Sequence, residues 1–280
     1  MMRILAMALV IVLAVPAVYA QNILFFNKSE GFEHSPVALK DGKTVAGEAI
    51  KALADAYGAS VTETKNGSAI NAENLKNFDL VMFYTSGDPT KASKDGGDAM
   101  GPNGQAELMD WIKNGGAFMG FHSTTDTFHT PPTGEVTPFV KMLGAEFVSH
   151  GKQFVGTVKV VDTAHPAMAS IPQDWKTNEE WYLFKNFNKE TMHVLALLDP
   201  GEERAKQEAY NIPSYPVMWC SQLGSGKVYF TALGHGDEMW KNDIFTQNIV
   251  DAATWLLDDA TGAPDVKPNY EEVVPKEIKK

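Results

Sequence analysis

The sequence predicts an α/β fold with a mixed, mostly parallel central sheet. Three apolar runs without alternation, residues 23–26, 78–84 and 117–121, are typical of parallel strands that are buried on both faces. Segments of helical length separate these runs, which favours right-handed crossovers between parallel strands. Residues 216–221 and 227–233 flank the turn QLGSG and indicate an antiparallel hairpin in the second half of the chain.

The first half of the chain supplies helices that connect the early strands. Ser35 and Pro36 suit the cap and the first turn of a helix, and apolar residues recur at helical spacing through residues 45–56. A second strand is predicted at residues 59–63, and Asn71 can cap a brief helix after it. We therefore expect successive β-α units that wind along one sheet.

The stretch WIKNGGAFMGFHSTTD, residues 111–126, is the clearest of these units. A helix ends at its glycine pair, a buried strand follows, and a polar turn that begins at His122 is expected to open a new helix. In doubly wound sheets, ligands bind outside the carboxyl ends of the strands. His122 is therefore predicted to face a binding crevice. The alternative is that it only forms a hydrogen bond with a neighbouring loop.

The second half completes the same domain with both kinds of element. A helix is predicted over residues 135–143, where Gly144 closes it. Strands are predicted over residues 154–161 and 193–198, and an amphipathic helix over residues 245–257. The antiparallel signals of this half predict that the sheet is mixed rather than wholly parallel.

The composition limits the classes of partner and site. The chain has 280 residues, a formal net charge of −11 and no basic stripe, which argues against nucleic acid or an anionic membrane surface as a partner. A single cysteine, Cys220, excludes an internal disulfide and a multi-cysteine metal site. Cys220 stands among apolar residues, so we expect it to be buried in a strand without a catalytic role.

The two ends of the chain are predicted to lie outside the domain, which spans residues 21–259. Residues 1–20 combine a basic start, an apolar run and small residues before a cleavage point after Ala20, as in a secretory signal peptide. We therefore expect a periplasmic or secreted protein without stable membrane insertion once the signal is removed; an uncleaved anchor is the alternative. Residues 260–280 have few apolar anchors and predict an exposed, partly disordered tail.

Histidines follow several of the predicted strands. Parallel strands end at the same edge of a sheet, so histidines after the first and fourth strands are expected to face one crevice. Two histidines later in the chain would face the same crevice if the strands before them run parallel to the first and fourth strands. Each histidine alone could instead be structural, with hydrogen bonds to loop backbone. The four are His34, His122, His150 and His235.

Acidic and aromatic residues form a second group of candidates. Glu179 and Glu180 precede Trp181 and Tyr182, and such a group can line a sugar site because rings stack on the sugar and carboxylates accept its hydroxyl hydrogens. Exposed surface charge is the alternative for both acids. Asp126, which closes the polar turn after the fourth strand, is a further candidate.

Six segments together resemble the trehalose-utilisation, or ThuA-like, family, and in order they cover most of residues 23–257. They are GFEH at 31–34, GGAFMGFHS at 115–123, LGAEFVSH at 143–150, HP at 165–166, EEWY at 179–182 and PVMWCSQLGSGKVYFTALGH at 216–235. The resemblance implies a three-layer sandwich similar to flavodoxin and to class I glutamine amidotransferases. The family usually has Asp-Glu where this chain has Glu179 and Glu180, which leaves Glu180 as the matched acid.

The resemblance also argues against one activity of the related fold. Class I amidotransferases place a nucleophilic cysteine in a Gly-x-Cys-x-Gly elbow, whereas this chain has GFHST at residues 120–124. An imidazole cannot replace the sulfur that forms the thioester with glutamine. We therefore do not expect a glutaminase.

The resemblance implies carbohydrate metabolism, with a small-molecule sugar or an oxidised (3-keto) glycoside as the ligand. One hypothesis is a hydrolase, lyase or isomerase that uses acid–base chemistry, with or without a divalent metal ion. The other is a non-catalytic sugar-binding or accessory protein, and a homo-oligomer stays open in both. The catalytic candidates, which are also the metal-ligand candidates, are His122, His150, Glu180 and His235. The substrate-binding candidates are His34, Ser123, Asp126, Trp181 and Tyr182.

Overall fold

The computed structural model describes residues 21–258 and 266–278, which form an α/β structure around a nine-stranded sheet. The strands are β1 (Asn22–Phe26), β2 (Ser60–Thr64), β3 (Leu80–Phe83), β4 (Ala117–Phe121), β5 (Glu146–His150), β6 (Phe154–Val160), β7 (Asp174–Glu179), β8 (Tyr182–Lys185), β9 (His193–Asp199), β10 (Tyr215–Leu223) and β11 (Gly226–Thr231). The α-helices are α1 (Val45–Ala56), α2 (Ala72–Leu75), α3 (Gly104–Lys113), α4 (Pro138–Leu143), α5 (Glu203–Lys206), α6 (Asp243–Leu257) and α7 (Tyr270–Val273).

The large sheet has a parallel block and an antiparallel block. Its order is β2-β1-β3-β4-β11-β10-β9-β6-β7. The pairs from β2 to β11 are parallel, and those from β11 to β7 are antiparallel. The strand order reverses between β1 and β3, which is where a doubly wound sheet opens a crevice at the carboxyl ends of its strands. The predicted α/β fold with a mixed sheet and a parallel core is confirmed.

Helices cover the sheet and enclose its apolar strands. α1 and α6 contact each other, and α6 packs on β3, β4 and β11, while α2, α3 and α4 form a second contiguous group. All five residues of β4 are buried, as its unbroken apolar run predicts. Asn71 caps α2 as predicted, and Gly144 closes α4 with a φ of 104°, a conformation that glycine adopts without strain.

Two predicted helix starts differ from the structure. Ser35–Val37 forms only a short 3₁₀ turn, because the chain then makes a bridge between Lys40 and Lys43. α1 begins later, where the side chain of Thr44 accepts a hydrogen bond from the N–H of Gly47. The polar turn after β4 likewise forms a 3₁₀ helix, not an α-helix.

The described part of the C-terminal tail, residues 266–278, contacts the domain, and none of its residues is buried. The Asn269 side chain accepts a hydrogen bond from the N–H of Val194 at 2.7 Å and donates one to its carbonyl at 3.1 Å. The Lys189 ammonium lies 4.7 Å from the ring centre of Tyr270. The composition of the tail does not predict this contact, because it depends on a single side chain. Asn269 forms two hydrogen bonds with the backbone of Val194 in β9, as a neighbouring strand would.

The predicted signal peptide, residues 1–20, lies outside the described residues, as do residues 259–265 and 279–280. Within the ranges that the structure does describe, no helix has the length and hydrophobicity that a membrane span requires.

Cys220 is fully buried in β10, which confirms the predicted burial. Its sulfur lies 3.6 Å from Nε2 of His165, away from the histidines that follow the parallel strands. We expect Cys220→Ser to retain ligand binding and to lose about 1–3 kcal/mol of unfolding free energy, because a buried hydroxyl is costlier to desolvate than a thiol. Urea unfolding and ligand titration on the same preparation test this, and loss of binding by the folded variant would contradict it.

Candidate functional site

Four side chains from distant parts of the sequence meet beyond the carboxyl ends of the parallel strands. His34 follows β1, His122 follows β4, His235 follows β11, and Glu180 lies between β7 and β8. One nitrogen or oxygen atom from each lies within 4.8 Å of the others. We call this group the histidine–glutamate cluster. Because β11 pairs parallel with β4, it delivers its histidine to the same edge as β4 does.

Glu180 is the point at which the imidazoles of the site meet. Its Oε2 lies 3.8 Å from Nε2 of His122 and 3.5 Å from Nε2 of His235. Its Oε1 lies 3.2 Å from Nδ1 of His150, whose ring is 40% exposed. Burial alone raises the pKa of Glu180, but the neighbouring imidazoles outweigh burial and hold it below its usual value. The carboxylate is therefore ionised at neutral pH.

Two imidazoles of the cluster, those of His34 and His235, have lowered pKa values and are neutral at pH 7. Burial, reinforced by His122 and the other nearby imidazoles, lowers the pKa of His34 to about 2. Burial, again followed by His122, lowers the pKa of His235 to about 4 although Glu180 opposes the shift. Neutral imidazoles beside an ionised carboxylate can bind a metal ion.

His122 is held by its backbone and by one hydrogen bond. Its φ of 38° lies in the left-handed region, which is unusual for a residue with a side chain and costs on the order of 1 kcal/mol. Nδ1 lies 2.9 Å from the carbonyl of Ala232, so Nδ1 carries the hydrogen and Nε2 is left with its lone pair. That Nε2 is buried and has no hydrogen-bond partner among the described residues.

Glu179 lies behind the cluster and ties two of its members together. Its side chain is buried and accepts hydrogen bonds from the N–H groups of Gly234 at 2.9 Å, His235 at 3.4 Å and Glu180 at 2.8 Å. Burial raises its pKa. Glu179 therefore positions the backbone of two cluster residues without reaching the cluster itself. From the sequence, Glu179 could be either a site residue or an exposed surface charge. In the structure it is a buried residue that supports the cluster from behind.

Tyr182 and His150 lie at the side of the cluster. The Tyr182 hydroxyl is 3.1 Å from Nε2 of His34, and its ring centre is 4.1 Å from that of His122. His150 contacts Glu180 but lies outside the group of four, in which His34 replaces it as the candidate metal ligand. The predicted metal-ligand set is corrected at this one position.

Two of the predicted substrate-binding residues, Trp181 and Asp126, make their contacts away from the cluster. The Trp181 ring is fully buried and donates a hydrogen bond to the carbonyl of Phe154, so it fills the core and offers no face to a sugar. Ser123 is buried in the turn after His122. Asp126 lies 2.6 Å from Nε2 of His129 and so faces a second polar group. The prediction failed for Trp181 because its ring packs into the core beside Phe154, a contact that the sequence does not show.

That second polar group, the Glu146 cluster, was not predicted. Glu146 is buried and accepts hydrogen bonds from Thr130 at 2.6 Å, His129 at 2.9 Å and Asn186 at 2.8 Å. The Lys185 ammonium lies 3.2 Å away. These contacts tie the loop after β4 to β5 and β8, which carry His150 and Tyr182. The sequence offers no signal for a buried glutamate between Ala145 and Phe147 beyond its apolar neighbours.

Comparisons with known proteins agree with this architecture. A ThuA-like protein from Bacteroides uniformis ATCC 8492 superposes with a TM-score of 0.65 at 19% identity and covers 90% of this chain and 98% of its own. A ThuA-like protein from Parabacteroides merdae ATCC 43184 has a TM-score of 0.64 at 14% identity, with 87% and 91% covered. The cytoplasmic protein STM3548 of Salmonella typhimurium has a TM-score of 0.52 at 10% identity, with 84% and 98% covered.

At these identities the structural matches show the fold alone. No curated protein matches the sequence. The profile of the ThuA family, described as trehalose utilisation, matches residues 22–256, which include every member of the histidine–glutamate cluster. The chain therefore belongs to the ThuA family.

Proposed function

We propose that this protein acts on a carbohydrate derivative, with the histidine–glutamate cluster as the site of reaction. The observation that carries the proposal is the convergence of three imidazoles and one carboxylate at the carboxyl edge of a parallel sheet, where α/β enzymes bind ligands. Membership of a family described as trehalose utilisation supports a sugar as the ligand. The signal-like sequence of residues 1–20 supports action in the periplasm or outside the cell.

An oxidised (3-keto) glycoside suits the chemistry of these residues. Its carbonyl acidifies the adjacent C–H, and removal of that proton is a step that lyases and isomerases share. Glu180 is ionised at neutral pH, because the neighbouring imidazoles hold its pKa below the usual value, and its carboxylate is the proposed proton acceptor. His150 contacts the same carboxylate and is exposed enough to pass the proton to solvent or back to the substrate.

Deuterium exchange tests the proposal directly. Purified protein is incubated with a 3-keto glycoside in D₂O, and NMR follows both deuterium at the carbon beside the ketone and any product. The parent glycoside, which lacks the ketone, is the control and should not exchange. Exchange or turnover above the rate without protein supports an enzyme. Saturable binding without either would instead establish the non-catalytic sugar-binding alternative.

Phe32 adds a candidate binding surface that the sequence did not single out. Its side chain is 68% exposed, the largest exposed fraction of any large hydrophobic residue that the structure describes, and its ring centre is 4.9 Å from that of His34. The Ser86 hydroxyl donates to the Phe32 carbonyl at 2.8 Å, so the turn is fixed. A fixed, exposed ring beside a polar cluster can stack on the apolar face of a sugar.

We expect Phe32→Ala to raise the KM for the 3-keto glycoside about tenfold with little change in kcat, because ring stacking contributes on the order of 1 kcal/mol to binding. Steady-state kinetics test this. Leu39→Ala removes another exposed hydrophobic side chain, 56% exposed, and should leave both constants unchanged. Equal effects of the two substitutions would contradict a specific role for Phe32.

A further inference from the structure

We propose that the histidine–glutamate cluster is a binding site for one divalent transition-metal ion. The proposal goes beyond the carbohydrate assignment and does not depend on it, because it concerns what the cluster binds in the absence of any sugar. Three imidazoles and one carboxylate form a donor set that suits Zn²⁺, Co²⁺, Ni²⁺ or Mn²⁺. Mg²⁺ and Ca²⁺ prefer oxygen ligands throughout.

The first observation for this site is the unpaired Nε2 of His122. The carbonyl of Ala232 fixes the hydrogen on Nδ1, so a lone pair on Nε2 is directed away from that bond. The side chain is wholly buried, and Nε2 has no hydrogen-bond partner among the described residues. A buried polar atom without a partner costs free energy of about 1–3 kcal/mol, which a bound cation would recover.

The second observation is the spacing of the candidate ligand atoms. A tetrahedral shell with bonds of about 2.1 Å places its ligand atoms about 3.4 Å apart. The Glu180 oxygen lies 3.5 Å from Nε2 of His235 and 3.8 Å from Nε2 of His122. These two distances are close to the tetrahedral value, and all four ligand atoms lie within 4.8 Å of one another, so side-chain rotations would have to draw the widest pairs together by up to about 1.4 Å.

The third observation is the layer of groups that orient the ligands. The side-chain amide nitrogen of Gln153 lies 2.7 Å from Nδ1 of His235, on the ring nitrogen opposite Glu180. With the amide turned over, its oxygen would accept the Nδ1 hydrogen and leave the Nε2 lone pair for an ion. Glu179 accepts hydrogen bonds from the N–H groups of Glu180 and His235, and from that of the adjacent Gly234. Such outer contacts fix ring orientation in metal sites. The side chains of His235 and Glu180 are 21% and 14% exposed, which leaves a path for an ion to enter.

Cobalt titration of the full chain tests the site. Protein stripped with a chelator is titrated with Co²⁺, and the visible absorption of bound cobalt measures affinity and stoichiometry. We expect one equivalent to bind, Zn²⁺ to displace it, and Mg²⁺ not to compete. We also expect Zn²⁺ to raise the Tm. Absence of saturable binding of Co²⁺, Zn²⁺, Ni²⁺ and Mn²⁺ to the folded protein would overturn the proposal.

Three variants locate the ion. His122→Asn removes a ligand while asparagine tolerates the left-handed backbone at this position, and His34→Gln removes another from a different element. Each should raise the Kd for Co²⁺ at least ~100-fold. His193→Gln, a change at a histidine bound to Asp162 outside the cluster, should leave the Kd within twofold, as a rough bound on the effect of an independent site.

The outcomes separate this proposal from the carbohydrate assignment. Unchanged Kd in either folded cluster variant, as judged by circular dichroism, would show that the ion binds elsewhere and would refute the site. Turnover of a 3-keto glycoside by chelator-stripped protein would show that the reaction does not need the metal ion. The Co²⁺ titration would still decide whether the cluster binds one. Metal binding without turnover would support the site and refute the proposed activity.

Discussion

Glu180→Gln is expected to lower kcat for a 3-keto glycoside by a factor on the order of 10²–10⁴, while the fold is retained. The Glu180 carboxylate contacts the imidazoles of His122, His235 and His150 through its two oxygens. Glutamine has the same shape, but its amide cannot take a proton at neutral pH. Steady-state turnover measures the loss, and circular dichroism with urea unfolding checks the fold.

A matched substitution outside the cluster isolates the role of the charge. Glu238 has an exposed side chain that pairs with Lys241 at 2.7 Å, shortly after His235 in the sequence. Glu238→Gln removes the same charge and should leave kcat within about twofold, since exposed ion pairs contribute little. If the two variants retained similar activity, Glu180 would not be the proton acceptor and the proposed reaction would need another base.

Glu146→Gln is expected to lower the unfolding free energy at pH 7 by about 3 kcal/mol. Burial alone raises the pKa of this carboxyl, but hydrogen bonds from Thr130, His129, Asn186 and Lys185 outweigh burial and lower the pKa to about 2. The ordinary value is 4.5, and each pKa unit corresponds to about 1.4 kcal/mol. The amide of glutamine also places donors against the donors that surround it.

The pH dependence of this loss has a definite sign. The folded pKa lies below the unfolded one, so the ionised form stabilises the fold above pH ~4.5, and this stabilisation is lost as pH falls from ~4.5 to ~2. Urea unfolding of wild type and variant between pH 2.5 and 7 should show curves that converge at low pH. Glu73→Gln, at an exposed residue, should change stability by less than about 0.5 kcal/mol. A constant gap across this pH range would contradict the interpretation.

Three strands of the parallel half could be predicted because their apolar residues form unbroken buried runs, in β1 after Asn22 and throughout β3 and β4. β7 escaped prediction because its sequence, DWKTNE, has a glutamate at a buried position of the alternating pattern. That glutamate is Glu179, so the residue that breaks the strand pattern is the one that positions the cluster.

The site was partly predictable from topology. Parallel strands that end at one edge account for His34 and His122, and the parallel pairing of β11 adds His235. The position of His150 could not be predicted, because β5 pairs with β8 in a separate two-stranded sheet and not with the large one. Side-chain direction was equally inaccessible at Trp181, where only packing against Phe154 decides which way the ring turns.

The position of β11 has a consequence for how the molecule is made. β11 is the neighbour of β4 in the sheet, although the ribosome synthesises β5 to β10 between these two strands. Until residues 226–231 emerge from the ribosome, the apolar edge of β4 has no partner on that side, and exposed edges of this kind recruit other chains. Insertion of this late segment at the centre of the sheet is slow on the scale of local pairing. Pairing of β11 with β4 also brings His235 to the cluster. A nascent chain therefore completes the histidine–glutamate cluster only when the exposed edge of β4 has gained its partner strand.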